Sequence, residues 1–330
     1  MTLLSICIPT YNRRSCLINC LNSIKIACKN LNFKFDVCIS DNSNYSNSDI
    51  IKKYKKFFKI IYHKNKNNIG VSKNMLKVVS LSKSKFAWLL GDDDLVHPYG
   101  LKIIKNLFYD EKNKDIDFFY LNSGMLNAET IFKKKQPYST NKLPKIIKKF
   151  SNYKYEGKIK FMDLMNKNIS FDFLGGMYTS IFKRKMWEKS KKILNEKKIN
   201  DLKIFTSLDN TFPHVKIFSK AFSKSQAYFS KNLVSINLSG IREWDDYYPI
   251  IFSIRIPEIL DEHRKNGLNL IQYLLLKNYS LRNYLPDLCK IIINKRLKIS
   301  YNELIFNYIK NIIYPNIYLS PFKYLIKKIK

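Results

Sequence analysis

FAWLLGDDDLVHP, residues 86–98, runs from five mostly apolar residues into three consecutive carboxylates, Asp92, Asp93 and Asp94. The apolar part reads as a short buried strand, and the carboxylates begin where it ends. Working outward, LSICIP (4–9), FDVCIS (35–40) and KIIYH (59–63) have the same strand character. Helical patterns lie between them, from Arg14 to about Lys29, near Ile50 to Lys56, and from Val71 to about Leu81. Strands apolar on both faces and separated by helices imply a largely parallel α/β sheet covered on both sides.

In such a sheet the ligand crevice lies beyond the carboxyl ends of the strands. Three polar clusters fall there: Pro9, Thr10, Tyr11, Asn12 and Arg13 after the first strand, Asp41-Asn42-Ser43 after the second, and Asp92 to Asp94 after the fourth. Adjacent carboxylates raise one another's pKa and resist burial in ionised form. A divalent cation relieves that conflict, and hard oxygen donors suit Mg²⁺ or Mn²⁺. The plainer reading is that Asp94 caps a helix starting near Pro98; a cap, however, needs neither Asp41 nor the Pro9–Arg13 turn.

Later segments are DFFYLN, a lysine-rich stretch at 133–160 with the character of a mobile loop, and FLGGMYTSIFK, a Gly-Gly turn leading into a strand. Helix formers at 185–199 then lead to SLDNTFPHVKIF. Beyond Gly240 the chain reads as mainly helical. The expected organisation is a domain at 1–240, with halves 1–105 and 106–240, followed by a helical region at 241–330.

The chain holds 59 Lys and Arg against 26 Asp and Glu, a formal charge of +33, which favours anionic partners. A hydrophobic content of 45% excludes a disordered chain. The six cysteines include Cys16 and Cys20 on one helical face, yet no His or second Cys pair completes a zinc pattern, so reduced thiols are expected. No secretory leader or membrane-length apolar run is visible, which points to the cytoplasm.

Taken together, SICIPTYNR, VCISDNS, NNIGVSKNM and WLLGDDD resemble, in order and spacing, the family 2 glycosyltransferases of GT-A fold, and the LLGDDD form is similar to their abequosyltransferase-like bacterial members. The resemblance is good over about 3–105 and weak over 170–240. It implies that Pro9, Thr10 and Tyr11 line a pocket for base and ribose, with Asn12 and Arg13 in the same turn. Asp41 would accept a hydrogen bond from the base, and Asn68, Gly70 and Asn74 would close the nucleotide pocket. The family's DXD element falls on Asp92 to Asp94, with Asp93 as the main metal ligand, Asp94 supporting it and Asp92 toward the nucleotide. Gly91 stands where the fuller motif begins with Asp.

The resemblance further implies inverting transfer of a sugar from a nucleotide-diphosphate donor, UDP being the expected nucleotide, to a glycan or lipid-linked acceptor in bacterial surface polysaccharide or lipooligosaccharide synthesis. Asp209 is the base it implies, capped by Ser207, although Leu208 replaces the acid that usually precedes it. His214, Arg242 and Trp244 are candidates for acceptor or diphosphate contacts, and His97 and His214 are also open to structural roles. PFKYLIKKIK (321–330) interleaves Phe322, Tyr324, Leu325 and Ile326 with lysines, a pattern suited to an anionic inner membrane leaflet or to a solvated tail. Two other classes compete. One is a metal-dependent nucleotidyltransferase or nuclease, although no nucleic-acid module is recognisable; the other is a non-catalytic membrane-surface protein that retains the fold.

Overall fold

A computed structural model describes residues 2–170, 172–240, 245–294, 296–297 and 299–329, without the side chains of 327–329. Its centre is a sheet of ten strands: β1 (Leu4–Thr10), β2 (Phe35–Asp41), β3 (Lys59–Lys64), β4 (Phe86–Leu89), β5 (Asp94–Val96), β6 (Phe118–Asn127), β7 (Lys148–Lys149), β8 (Gly157–Lys160), β9 (Ser180–Lys183) and β10 (Gln226–Ser239). The order is β3-β2-β1-β4-β9-β6-β10-β5, with β7 on β6 and β8 on β10. The first four strands run parallel, as expected. β9 inserts antiparallel between β4 and β6, and β5 pairs antiparallel with β10.

The apolar runs are explained by burial on both faces. Ile6, Ile8, Val37, Ile39, Trp88 and Phe119 face one core layer with Leu17, Leu21 and Ile24 of the helix Arg14–Ala27. Their neighbours Cys7, Cys38, Ala87, Leu89 and Phe118 face the opposite layer with Met75, Val78 and Val79 of the helix Val71–Leu81. The period of two along each strand therefore feeds two cores at once. The indole of Trp88, fully buried, donates to the Tyr178 carbonyl (2.8 Å) and fixes β4 against the segment before β9.

The 133–160 stretch differs from the mobile loop expected. Tyr138 donates its backbone N–H to Asn19 Oδ1 and accepts from Asn22 Nδ2, both at 2.8 Å, which pins the segment to the first helix. β7 and β8 then attach it to the sheet. Its lysines point outward while Tyr138 and Thr140 are buried, so composition alone conceals the anchoring.

From Asp245 the described chain is helical. Ile251, Ile256, Ile259, Leu260 and Leu276 enter the same core as Phe118 and Phe218. Smaller clusters, around Ile254 with Leu304 and around Tyr284 with Ile317, hold the outer helices.

Candidate active site

The polar clusters after β1 and β4 open onto a cavity of about 630 Å³ at the carboxyl edge of the sheet. This volume suits a small organic ligand. Pro9, Thr10, Tyr11, Arg13, Asn68, Gly70, Asn74, Asp92, Asp93, Asp94 and His214 all line it.

The three carboxylates do different things. Asp92 accepts a hydrogen bond from Thr10 Oγ1 (2.6 Å), and its other oxygen lies 3.7 Å from Arg13 Nη1. Asp93 accepts from the same guanidinium at 3.1 Å. Burial, and then the Asp93 charge, push the Asp92 carboxyl up to about 7 despite Arg13 and Thr10. The Asp92 carboxyl thus resists ionisation where it lies, a condition that a cation would relieve.

Asp94, expected to support a metal, also lines the cavity, but its carboxylate is held against the sheet. It opens β5 directly opposite Asn237 on β10. Its carboxylate accepts from Asn237 Nδ2 (2.8 Å) and from the Gly91 N–H (3.2 Å). It is not a helix cap either, because the next helix begins at Gly100. Among the described residues no group of three or more His, Cys, Asp or Glu is arranged to hold a metal. Asp92 and Asp93 are the carboxylates that could hold an ion here, with phosphate oxygens and waters completing the shell, as is usual for Mg²⁺ at nucleotide sites.

Asparagines join the loops after β1, β2 and β3. Asn42 Nδ2 donates to Asn68 Oδ1 (3.0 Å), Asn65 Nδ2 to Asn42 Oδ1 (2.8 Å) and to Asn74 Oδ1 (3.2 Å), and Asn74 Nδ2 to the Thr10 carbonyl (3.2 Å). Asn42 falls in the polar cluster expected after the second strand, whereas Asn65 went unrecognised in the sequence, where it looks like an ordinary loop residue. Gly70, at φ +81°, turns the chain into the helix Val71–Leu81 with Leu202 packed over it; a Cβ there would lie 3.3 Å from Leu202 Cδ2.

Two expected nucleotide contacts lie off the cavity lining. Asp41 is fully buried, accepting from the Ser43 N–H, Asn47 Nδ2 and Tyr62 Oη (2.7–3.0 Å). Asn12, at φ +53°, bonds Ser43 Oγ and the Asn44 N–H, and so ties the first loop to the second. Neither lines the cavity, but both brace the loops that border it.

The opposite wall carries the acid that sequence reading missed. Asp172 lines the cavity just before the Gly-Gly turn. Ser170 Oγ donates to it, the N–H groups of Leu174 and Gly176 face it, and burial lifts its carboxyl to about 6. Phe173 and Leu174 follow at φ +48° and +76°, left-handed values that are strained for large side chains. The only trace in the sequence is an acid inside the apolar FDFLGG run.

Asp209, expected as the base, does not line the cavity. Both its oxygens accept from Lys216 Nζ (2.9 and 3.0 Å), and Oδ1 also accepts from the Asn195 N–H (2.7 Å). Ser207 does cap the short helix Leu208–Thr211 through the Asn210 N–H. That helix turns Asn210 and Thr211 to the cavity and Asp209 away from it. Asp209 would have to exchange its Lys216 pair to reach a substrate.

His214 does reach the wall. Its Nε2 lies 3.1 Å from the Gly175 carbonyl, which can only accept, so Nε2 carries the hydrogen. Burial pushes the imidazole down to about 4, leaving it neutral. Its Nδ1 and Asn210 Oδ1 are buried acceptors with no partner among the described residues. Tyr248 and Phe252 stack nearby (5.5 Å, 6°) and add an apolar aromatic face. His97 stands outside the cavity lining, and Arg242 and Trp244 lie outside the described residues.

Fold and site together define a GT-A-like α/β protein whose ligand cavity sits beyond the parallel strands. Residues 5–170, half of the chain, match the model of glycosyl transferase family 2, and the chain belongs to that family. This gives the strand-edge clusters a task that the nucleic-acid alternative does not. The chain is 38% identical over 106 residues to abequosyltransferase RfbV of Salmonella typhimurium, covering 31% of this chain and 32% of that protein. It is 33% identical over 89 residues to the uncharacterized glycosyltransferase MJ1057 of Methanocaldococcus jannaschii, covering 27% and 30%. The chain thus spans about a third of the curated relatives it matches.

Among solved structures, TarS 1–349 of S. aureus in complex with UDP superposes with a TM-score of 0.58 at 15% identity, covering 92% of this chain and 77% of that one. The mannosyltransferase PcManGT of Pyrobaculum calidifontis, in complex with GDP-Man and Mn²⁺, gives 0.51 at 9% identity, covering 96% and 83%. At these identities the likeness is one of fold.

Proposed function

We propose that this chain transfers a sugar, with inversion, from a nucleotide-diphosphate donor to a hydroxyl of a glycan or lipid-linked acceptor in surface polysaccharide synthesis. The observation that carries the reading is the convergence of Thr10, Arg13, Asp92 and Asp93 on one cavity at the carboxyl edge of the sheet. UDP is the favoured nucleotide, supported by the TarS complexes with UDP and with UDP-GlcNAc.

Asp92 and Asp93 would hold Mn²⁺ or Mg²⁺, which supplies neutralising charge to the diphosphate of the donor. Thr10 and Arg13 orient the two carboxylates, and Arg13 adds a positive charge at the cavity wall where the diphosphate would lie. Asn68, Gly70 and Asn74 close the nucleotide side. Of the acids lining the cavity among the described residues, Asp172 alone lies outside the Asp92–Asp94 cluster. It is our candidate to take the proton of the acceptor hydroxyl, being ionised above pH 6 and still basic enough to accept it. The Tyr248–Phe252 pair suits the apolar face of a sugar ring. A cytoplasmic position at the inner face of the membrane would bring the site to a lipid-linked acceptor.

Incubating the purified chain with UDP-, dTDP-, CDP- and GDP-sugars and Mn²⁺, and following nucleoside diphosphate release, tests the reading. Release from one donor class, abolished in Asp93→Ala, supports it; no release from any donor counts against it.

A further inference from the structure

Away from the cavity, three of the late helices carry an apolar stripe on the outside. Ile271 and Leu275 on the helix Leu270–Ser280, Ile305 and Ile309 on Tyr301–Asn311, and Phe322 and Leu325 on Pro315–Ile329 are each more than half exposed. Spacings of three and four place each pair on one helical face. These are not the faces that fold the region. Leu276, Leu304 and Ile317 on the same helices already fill the interior clusters. An amphipathic helix normally buries its apolar face and turns a polar one outward; these helices carry a second apolar face that is mostly exposed.

The charge around these stripes has one sign. Residues 266–330 contain eleven Lys or Arg, with Asp287 and Glu303 the only acids. Both acids are engaged inward, Asp287 with Ser253 and Lys290 and Glu303 with the buried Arg255. No described helix is long and apolar enough to cross a membrane. Apolar stripes flanked by lysines fit helices lying in the plane of an anionic bilayer, apolar side down. Pairing two copies of this face would bring like charges together, so a second copy of the chain fits it poorly.

We infer that the exposed apolar stripes of the three helices within residues 270–326 dock on an anionic membrane, rather than the basic carboxyl-terminal segment alone. It deepens the proposed function by bringing the transfer site to a membrane, yet it can be tested separately, because docking needs neither donor nor metal.

The test is flotation of the full chain with vesicles of phosphatidylglycerol and phosphatidylcholine in equal parts, against vesicles of phosphatidylcholine alone. Binding to the mixed vesicles, weakened by salt, is expected. Ile305→Glu combined with Ile309→Glu should abolish it with an unchanged far-ultraviolet spectrum, since both side chains face solvent. Lys323→Gln should weaken it about fivefold, the effect of one lysine near such a surface. Asp93→Ala should float like the parent chain whatever its activity, which separates failure of docking from failure of the transferase reading. No flotation, flotation unaffected by the glutamates, or a concentration-dependent dimer that those glutamates dissolve would each overturn the inference.

Discussion

Replacing Asp172 by asparagine removes a charge that its surroundings disfavour. Burial raises the carboxyl from the ordinary carboxylate range to about 6, so the native state prefers the protonated form, and the stability this group contributes is complete below the unfolded value near 4 and lost as pH rises through 6. The shift corresponds to about 3 kcal/mol withheld at pH 8. Asparagine keeps an oxygen for the Ser170 hydroxyl but loses one acceptor for the N–H groups of Leu174 and Gly176, at a cost of about 1 kcal/mol. Asp172→Asn should therefore be about 2 kcal/mol more stable than the parent at pH 8, with the gap closing as pH falls and reversing to about 1 kcal/mol less stable near pH 4. Urea unfolding across that range reads the effect. In the transfer assay the same variant should be inactive at every pH, whereas parental kcat/KM should rise as pH passes 6. A variant less stable at pH 8, or a stability gap independent of pH, would refute the electrostatic reasoning. Retained turnover would remove Asp172 as the base.

Other changes probe the framework of the site. Gly70→Ala forces a Cβ into the left-handed region under Leu202 and should cost about 1–3 kcal/mol in urea unfolding while weakening nucleotide binding. Asn237→Ala strips the buried Asp94 of a 2.8 Å donor and should cost about 1–3 kcal/mol, read in the same assay. Asp209→Asn breaks a largely buried pair with Lys216 and should destabilise the fold by about 3 kcal/mol while leaving turnover at permissive temperature; loss of kcat with unchanged stability would instead return the base to Asp209.

The parts legible in the sequence were those set by local period and by strand ends. LSICIP, FDVCIS and FAWLL alternate between two cores, and the loops after them must meet at one sheet edge once the strands run parallel. What stayed hidden depends on partners far along the chain. Asp94 looks like Asp92 and Asp93 until Asn237, 143 residues away, appears opposite it. The Tyr138 anchor needs Asn19 and Asn22, which read as the polar side of an ordinary helix. Asp209 carried the expected cap, but the direction of its carboxylate is decided by Lys216 two turns on. Asp172 left no period to read, because a strained turn, not a strand or helix, aims it at the cavity.

Calorimetric titration of UDP and GDP into the full chain, with and without Mn²⁺ and repeated on Asp93→Ala, tests the central claim most directly. The account expects one nucleotide to bind tightly only with Mn²⁺ and the variant to lose at least about tenfold in affinity, the equivalent of one charged contact. Equal affinity with and without the ion, unchanged in Asp93→Ala, would contradict it.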